Sequence, residues 1–169
     1  MSMFEDKRYR WRETYFVAFH SSDRPMLETV RETLSQLSEH YSLTNLSAGD
    51  DGLIDSLTLI SPEDFAALDI CYIQGPEVLE QGAELAEQMR PSAVEPGLEE
   101  TVKRVRQCDA RFDVLHFEEV PESREFPEEE DEEEMLDPGA LLLVLGVLAK
   151  LTGGIAIDPQ SGTVLSDDD

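Results

Sequence analysis

Basic residues are scarce in this chain. Its 169 residues include 13 Lys and Arg against 38 Asp and Glu, a formal charge of −25. Binding to a nucleic-acid backbone needs clustered cations that neutralise phosphates, so nucleic acid is not expected as a direct ligand. Anionic membrane surfaces are disfavoured on the same ground. Cysteine is nearly absent too. Cys71 and Cys108 are too few for a disulfide framework, and no Cys-x-x-Cys or Cys/His pairing offers a zinc site. A reducing, cytoplasmic setting is therefore expected, with no cofactor and no resident metal. Long apolar runs are also missing. Ala140 to Ala149 is about half the ~20 residues a bilayer-spanning helix requires, and Lys150 closes it. The opening residues mix Glu5 and Asp6 with Lys7, Arg8, Arg10 and Arg12, which is not a secretory leader pattern, and the apolar run Tyr15 to Phe19 is too short to serve as one.

Several enzyme signatures are lacking as well. There is no Gly-x-Gly-x-x-Gly, no phosphate-binding Gly-Lys-Ser/Thr loop, no Gly-x-Ser-x-Gly elbow and no His-Glu-x-x-His. Gly75-Pro76 superficially resembles an anion-binding turn, but Glu77 and Glu80 put negative charge where a phosphate would sit.

What is present is globular: 40% hydrophobic residues in a length near the modal domain size point to one domain with a core of its own. The negative charge is concentrated. Residues 1–117 hold 22 acids and 11 bases, whereas the 20 residues from Glu118 to Asp137 hold 12 acids and one base, Arg124. Each segment nets −11. Pro121 and Pro127 break regular structure, and the unbroken run Glu128, Glu129, Glu130, Asp131, Glu132, Glu133, Glu134 repels itself, so 118–137 reads as a mobile acidic loop inserted before the last helix and hairpin.

Hydrophobic periodicity orders the rest. Thr14 to Phe19 is β-branched or aromatic on both faces, as in a central strand. Ser22 or Asp23 then caps a helix with Pro25 in its first turn and a stripe of Leu27, Val30, Leu34, Leu37 and Tyr41. Leu43 to Ser47 is a short strand, and Leu53 to Ile60 with Ala66 to Ile73 reads as an antiparallel hairpin. Helices follow from Gly75-Pro76 and from about Gly97 to Gln107, then a strand from Phe112 to Phe117. After the acidic loop, Asp137 caps and Pro138 opens a helix to about Leu151, and Ile155 to Asp158 with Thr163 to Ser166 closes the chain. The order β-α-β-β-β-α-α-β-α-β-β predicts an α+β fold, a two-layer sandwich of helices on a mixed, mainly antiparallel sheet. A ferredoxin-like core with additions is one arrangement that fits. The last helix is apolar on nearly every side from Leu141 to Leu148, so it is either central in the monomer or closes a homodimer.

Candidate chemistry is thin. His20 and His116 each end a strand assigned to the sheet interior, and Asp69 or Asp113 are carboxylates that could orient one of them as a general base. A histidine at a strand end is more often structural, and Cys71, on a strand, reads as a buried thiol rather than a nucleophile. The acidic run lacks the spaced frame and closing bidentate Glu of a preformed Ca²⁺ loop. It suits a partner with a basic surface, or simple solvation. Lys7, Arg8, Tyr9, Arg10, Trp11 and Arg12 interleave cations with aromatics; they read mainly as an arm that offsets nearby carboxylates of the same chain, or as a dock for the acidic loop of a second copy. The segment Leu151-Thr-Gly-Gly-Ile-Ala-Ile-Asp158-Pro-Gln-Ser-Gly-Thr-Val-Leu165 resembles the helix-to-hairpin close of small bacterial α+β domains without an assigned activity, and it implies no site. The sequence thus favours a soluble, acidic, non-enzymatic protein-interaction module that acts on a basic partner or on itself. An enzyme with a cryptic His/carboxylate pocket between sheet and helices is the alternative.

Overall fold

Every neighbouring pair of strands in the sheet runs antiparallel. A computed structural model describes residues 9–62, 66–89, 98–119, 139–160 and 163–164. Its strands are β1 (Tyr9–Phe19), β2 (Ser42–Ala48), β3 (Ile54–Ser61), β4 (Ala66–Gln74), β5 (Ala110–Glu119), β6 (Ile155–Asp158) and β7 (Thr163–Val164). They form one seven-stranded sheet in the order β2-β3-β4-β5-β1-β6-β7. The helices are α1 (Leu27–Ser35), α2 (Pro76–Met89), α3 (Leu98–Gln107) and α4 (Gly139–Thr152). The chain is an α+β sandwich. Its spatial row β6-β1-β5-β4, with α1 after β1 and α4 between β5 and β6, follows the β-α-β-β-α-β connectivity of a ferredoxin-like core. The β2–β3 hairpin, α2–α3 and β7 are additions to that row.

Alternation along the strands decides which helix covers which face. Tyr15, Val17 and Phe19 of β1, Phe112 and Val114 of β5, Leu68 and Ile70 of β4 and Leu57 and Leu59 of β3 pack with Val30 and Leu34 of α1 and Leu141, Val144, Leu145 and Leu148 of α4. Aromatic rings meet in this core, with the Phe19 and Phe112 centroids 5.0 Å apart. The intervening residues Phe16 and Ala18, with Ile155 and Ile157 of β6, pack on the opposite face against Leu85 and Ala86 of α2 and Val105 of α3. The core row is thus a two-layer sandwich, and α2–α3 adds a partial third layer behind it.

Four boundaries differ from the expectation. β5 runs from Ala110 to Glu119 rather than from Phe112 to Phe117, so Glu118 and Glu119 belong to a strand and not to the loop expected over 118–137, because Glu118 is buried against Arg10 and Arg12. β1 begins at Tyr9 rather than Thr14, so the Arg10 to Arg12 segment is part of a strand. The segment Ser21–Asp23 forms a single 3-10 turn instead of a cap, because Asp109 Oδ1 and Oδ2 accept from the Ser21 amide and hydroxyl, both at 2.7 Å. Pro25 keeps Arg24 extended, and α1 starts at Leu27 without a side-chain cap. It stops at Ser35, so Leu37 and Tyr41 reach the core from the following turn. Lys7 and Arg8, Pro91 and Pro96, Asp137 and Pro138, and 165–169 lie outside the described residues.

One glycine is required by close approach. A Cβ on Gly154 would sit 2.4 Å from the Ala18 carbonyl oxygen and 2.8 Å from Thr152 Oγ1. The turn from α4 into β6 therefore presses directly on β1.

Candidate functional site

Among the described residues, a cluster of ionisable side chains lies where the start of β1 meets the end of β5. Tyr9 pairs with Glu119, Arg10 with Glu118 and Trp11 with Phe117, after which a bulge shifts the register so that Glu13 faces His116. The extra residue is Arg12, and the bulge lets two cations converge on one carboxylate. Arg10 Nη2 donates to Glu118 Oε2 at 2.9 Å, and Arg12 Nη1 donates to the same oxygen at 3.3 Å. Glu118 is 4% exposed, so burial is offset by both guanidinium groups.

His116 sits one inward position further along β5 and is fully buried. Its Nδ1 lies 3.4 Å from Glu13 Oε1. A carboxylate oxygen only accepts, so the proton belongs on Nδ1 and Nε2 is an acceptor. That Nε2 is buried and has no hydrogen-bond partner among the described residues. Burial pushes the imidazole pKa below its ordinary value, helped by the charge of Arg12 and opposed by Glu13 and Glu118. Glu13 also hydrogen-bonds Tyr15, whose phenol is pushed up to about 12 by burial first and then by Glu13 and Asp158.

The other candidate residues are elsewhere. Asp69 and Asp113 lie on the opposite face of the sheet from His116, since odd positions of β4 and β5 point away from α1 and α4. There Asp69 accepts from the Thr58 hydroxyl, itself 3.3 Å from Asn45 Nδ2, and Asp113 accepts from Arg111 Nε at 2.6 Å. Cys71 stands opposite Asp113. Burial and the two flanking carboxylates raise its thiol pKa, the reverse of what a nucleophile needs. His20 is exposed beyond the far end of β1, seven residues from Glu13, or roughly 23 Å along the strand, so the two histidines do not share a site. A small cavity between α2, α3 and the sheet is lined by Phe16, Val78, Leu85, Cys108 and Arg111. Its interior of about 20 Å³ is water-sized. Neither histidine lines it.

The described residues contain no group of three His, Cys, Asp or Glu side chains placed to hold a metal ion. Nor is any described helix long and apolar enough to cross a membrane. Comparison with family models, with characterised proteins and with solved structures finds no match.

Of the residues singled out as an interaction surface, Arg10 and Arg12 bind Glu118 of their own chain, and Trp11 is exposed with its indole Nε1 donating to Thr14 Oγ1 at 3.0 Å. Glu128, Glu129, Glu130, Asp131, Glu132, Glu133 and Glu134 lie outside the described residues. Four residues were not among the candidates: Glu13, Glu118, Leu142 and Leu143. Leu142 and Leu143, on the first turns of α4, are 52% and 50% exposed, while Leu141, Val144 and Leu145 beside them are buried. Only the packing side of an all-apolar helix tells which leucines turn outward, and no spacing in the sequence marks it. Glu13 was legible in principle. It shares the inward parity of Tyr15, Val17 and Phe19 once β1 is extended to Tyr9.

Proposed function

We propose that this protein is a non-enzymatic interaction module that engages a partner of basic surface through an apolar contact flanked by acidic charge. The carrying observation is the half-exposed pair Leu142 and Leu143 at the start of the helix that in sequence follows residues 120–137, which hold ten carboxylates. Apolar anchors supply affinity where water is excluded, and a surrounding field of one sign raises the association rate and selects partners of the other sign. A copy of the same chain is a less fitting occupant, since two copies bring two acidic stretches together and repel. The catalytic alternative has a His-carboxylate pair in His116 and Glu13, but a fully buried imidazole is out of a substrate's reach.

The test is capture of a partner by the full chain, followed by reconstitution of the purified pair. Burying the exposed half of each leucine contributes about 1 kcal/mol, so the double variant Leu142→Ser, Leu143→Ser should weaken binding by roughly 30-fold. Replacing the seven acids from Glu128 to Glu134 with Gln or Asn should slow association and flatten its salt dependence. A partner bound equally well by both variants would defeat this reading.

A further inference from the structure

We infer that the His116–Glu13 pair and the adjoining Arg10–Glu118–Arg12 bridge form an acid-sensitive clasp that holds the first half of β1 to the sheet. The inference stands on the site geometry and does not depend on what the protein binds. β1 is central only in part: among the described residues, β6 pairs with Phe16, Val17 and Ala18, whereas the ladder from Tyr9 to Tyr15, apart from the bulged Arg12, runs with β5. A strand segment held on one side by one ladder, interrupted by a bulge, is the part of β1 that opens at least cost. Its inward contacts at Arg10, Arg12 and Glu13 are ionic, unlike the apolar contacts of Val17 and Phe19.

Among the described residues, few charged groups surround the imidazole. Arg10, Arg12, Glu13 and Tyr15 come from β1, Glu118 from its own strand, and Asp158 of β6 acts on Tyr15. On β4 the facing residue is Leu68, and the buried residues α1 and α4 turn to this side of the sheet are apolar but for Thr152. A second proton on the ring would go to Nε2, which is buried and has no acceptor among the described residues. The closed form therefore resists a proton that a peeled, hydrated ring accepts near pH 6.5. The sign follows from linkage. The closed form keeps its full advantage above pH 6.5 and loses it as pH falls below that value, by up to tenfold in the opening equilibrium per pH unit, until the ring's own lowered pKa is reached.

Hydrogen exchange of the full chain at pH 7.5 and 5.5, corrected for intrinsic exchange, reads the opening directly. Protection of the amides from Tyr9 to Tyr15 should fall by up to tenfold at the lower pH while Phe16 to Phe19 keep theirs, and His116→Phe should abolish the difference. Equal pH dependence in His116→Phe, or protection that rises in acid because Glu13 dominates, would overturn the inference. Should His116→Phe not fold, an NMR titration of the wild-type ring decides: a midpoint below 6.5 supports the clasp, and one at or above 6.5 refutes it.

Discussion

Removing the carboxylate of Glu118 while keeping its shape, as Glu118→Gln, tests how the bulged end of β1 is held. At about 3 Å and an effective dielectric of ~20, each Arg–Glu contact is worth roughly 5 kcal/mol of Coulomb energy. Most of this is cancelled by the cost of taking the carboxylate out of water, which is several kcal/mol for a group only 4% exposed. Arg10 and Arg12 keep 43% and 33% of their side-chain surface exposed, so they rehydrate when Glu118 is gone and leave no buried orphan charge. The penalty should thus fall well below that of breaking a fully buried pair: about 1–2 kcal/mol, or roughly 2–8 °C in melting temperature for a chain of this size. The assay is denaturant unfolding of Glu118→Gln, Arg12→Ala and the double variant. A coupling energy of about 1 kcal/mol that shrinks in 1 M salt is expected, because the guanidinium groups face solvent. A coupling near zero would mean that the bridge is incidental and that backbone pairing alone fixes this end of β1.

Three further outcomes follow from the geometry. Gly154→Ala drives a Cβ to 2.4 Å from a backbone carbonyl that cannot swing aside, so thermal unfolding should show a loss of at least about 2 kcal/mol. The Tyr15 phenol, raised to about 12, should stay protonated through the ordinary tyrosine range in an ultraviolet titration. Its stabilising contribution is full below pH 10 and is lost as pH climbs through about 12, so Tyr15→Phe should lessen the alkaline destabilisation. Burial pushes the Cys108 thiol up to about 11 and also raises Cys71, so native protein should react with a thiol reagent at pH 8 far more slowly than free cysteine does. Rapid modification of Cys108 in the native state would refute its placement beneath α3.

The order of elements was readable because each strand is either apolar on both faces or bounded by turn residues. Phe112 to Phe117 and Ile155 to Asp158 have that form, and all eleven strands and helices appear in the expected succession. The start of β1 was not readable. Arg10 is an inward residue that simple alternation places wrongly, because the bulge at Arg12 shifts its parity, and Glu13 is inward by parity although its charge argues for the outside. What permits them inside is the polar content of β5 opposite, Glu118 and His116, which only the register brings into view. The stripe of α1 misled in the other direction, since Leu37 and Tyr41 continue its period from a turn.

Sheet-face parity also separates His116 from the carboxylates expected beside it. Pairing His116 with Asp69 or Asp113 was a matter of residue type, and type does not say which face of a sheet a side chain takes. One residue of parity separates the two outcomes. Asp113 takes Arg111 on the face of α2 and α3, while His116 takes Glu13 on the face of α1 and α4. Both pairings satisfy charge, yet they differ in consequence. The Arg111–Asp113 pair joins two partly exposed groups beneath a helix and responds mainly to salt. The His116–Glu13 pair carries an imidazole whose pKa burial lowers, on a strand end that among the described residues pairs with β5 alone, so it is the pair through which acidity reaches the fold.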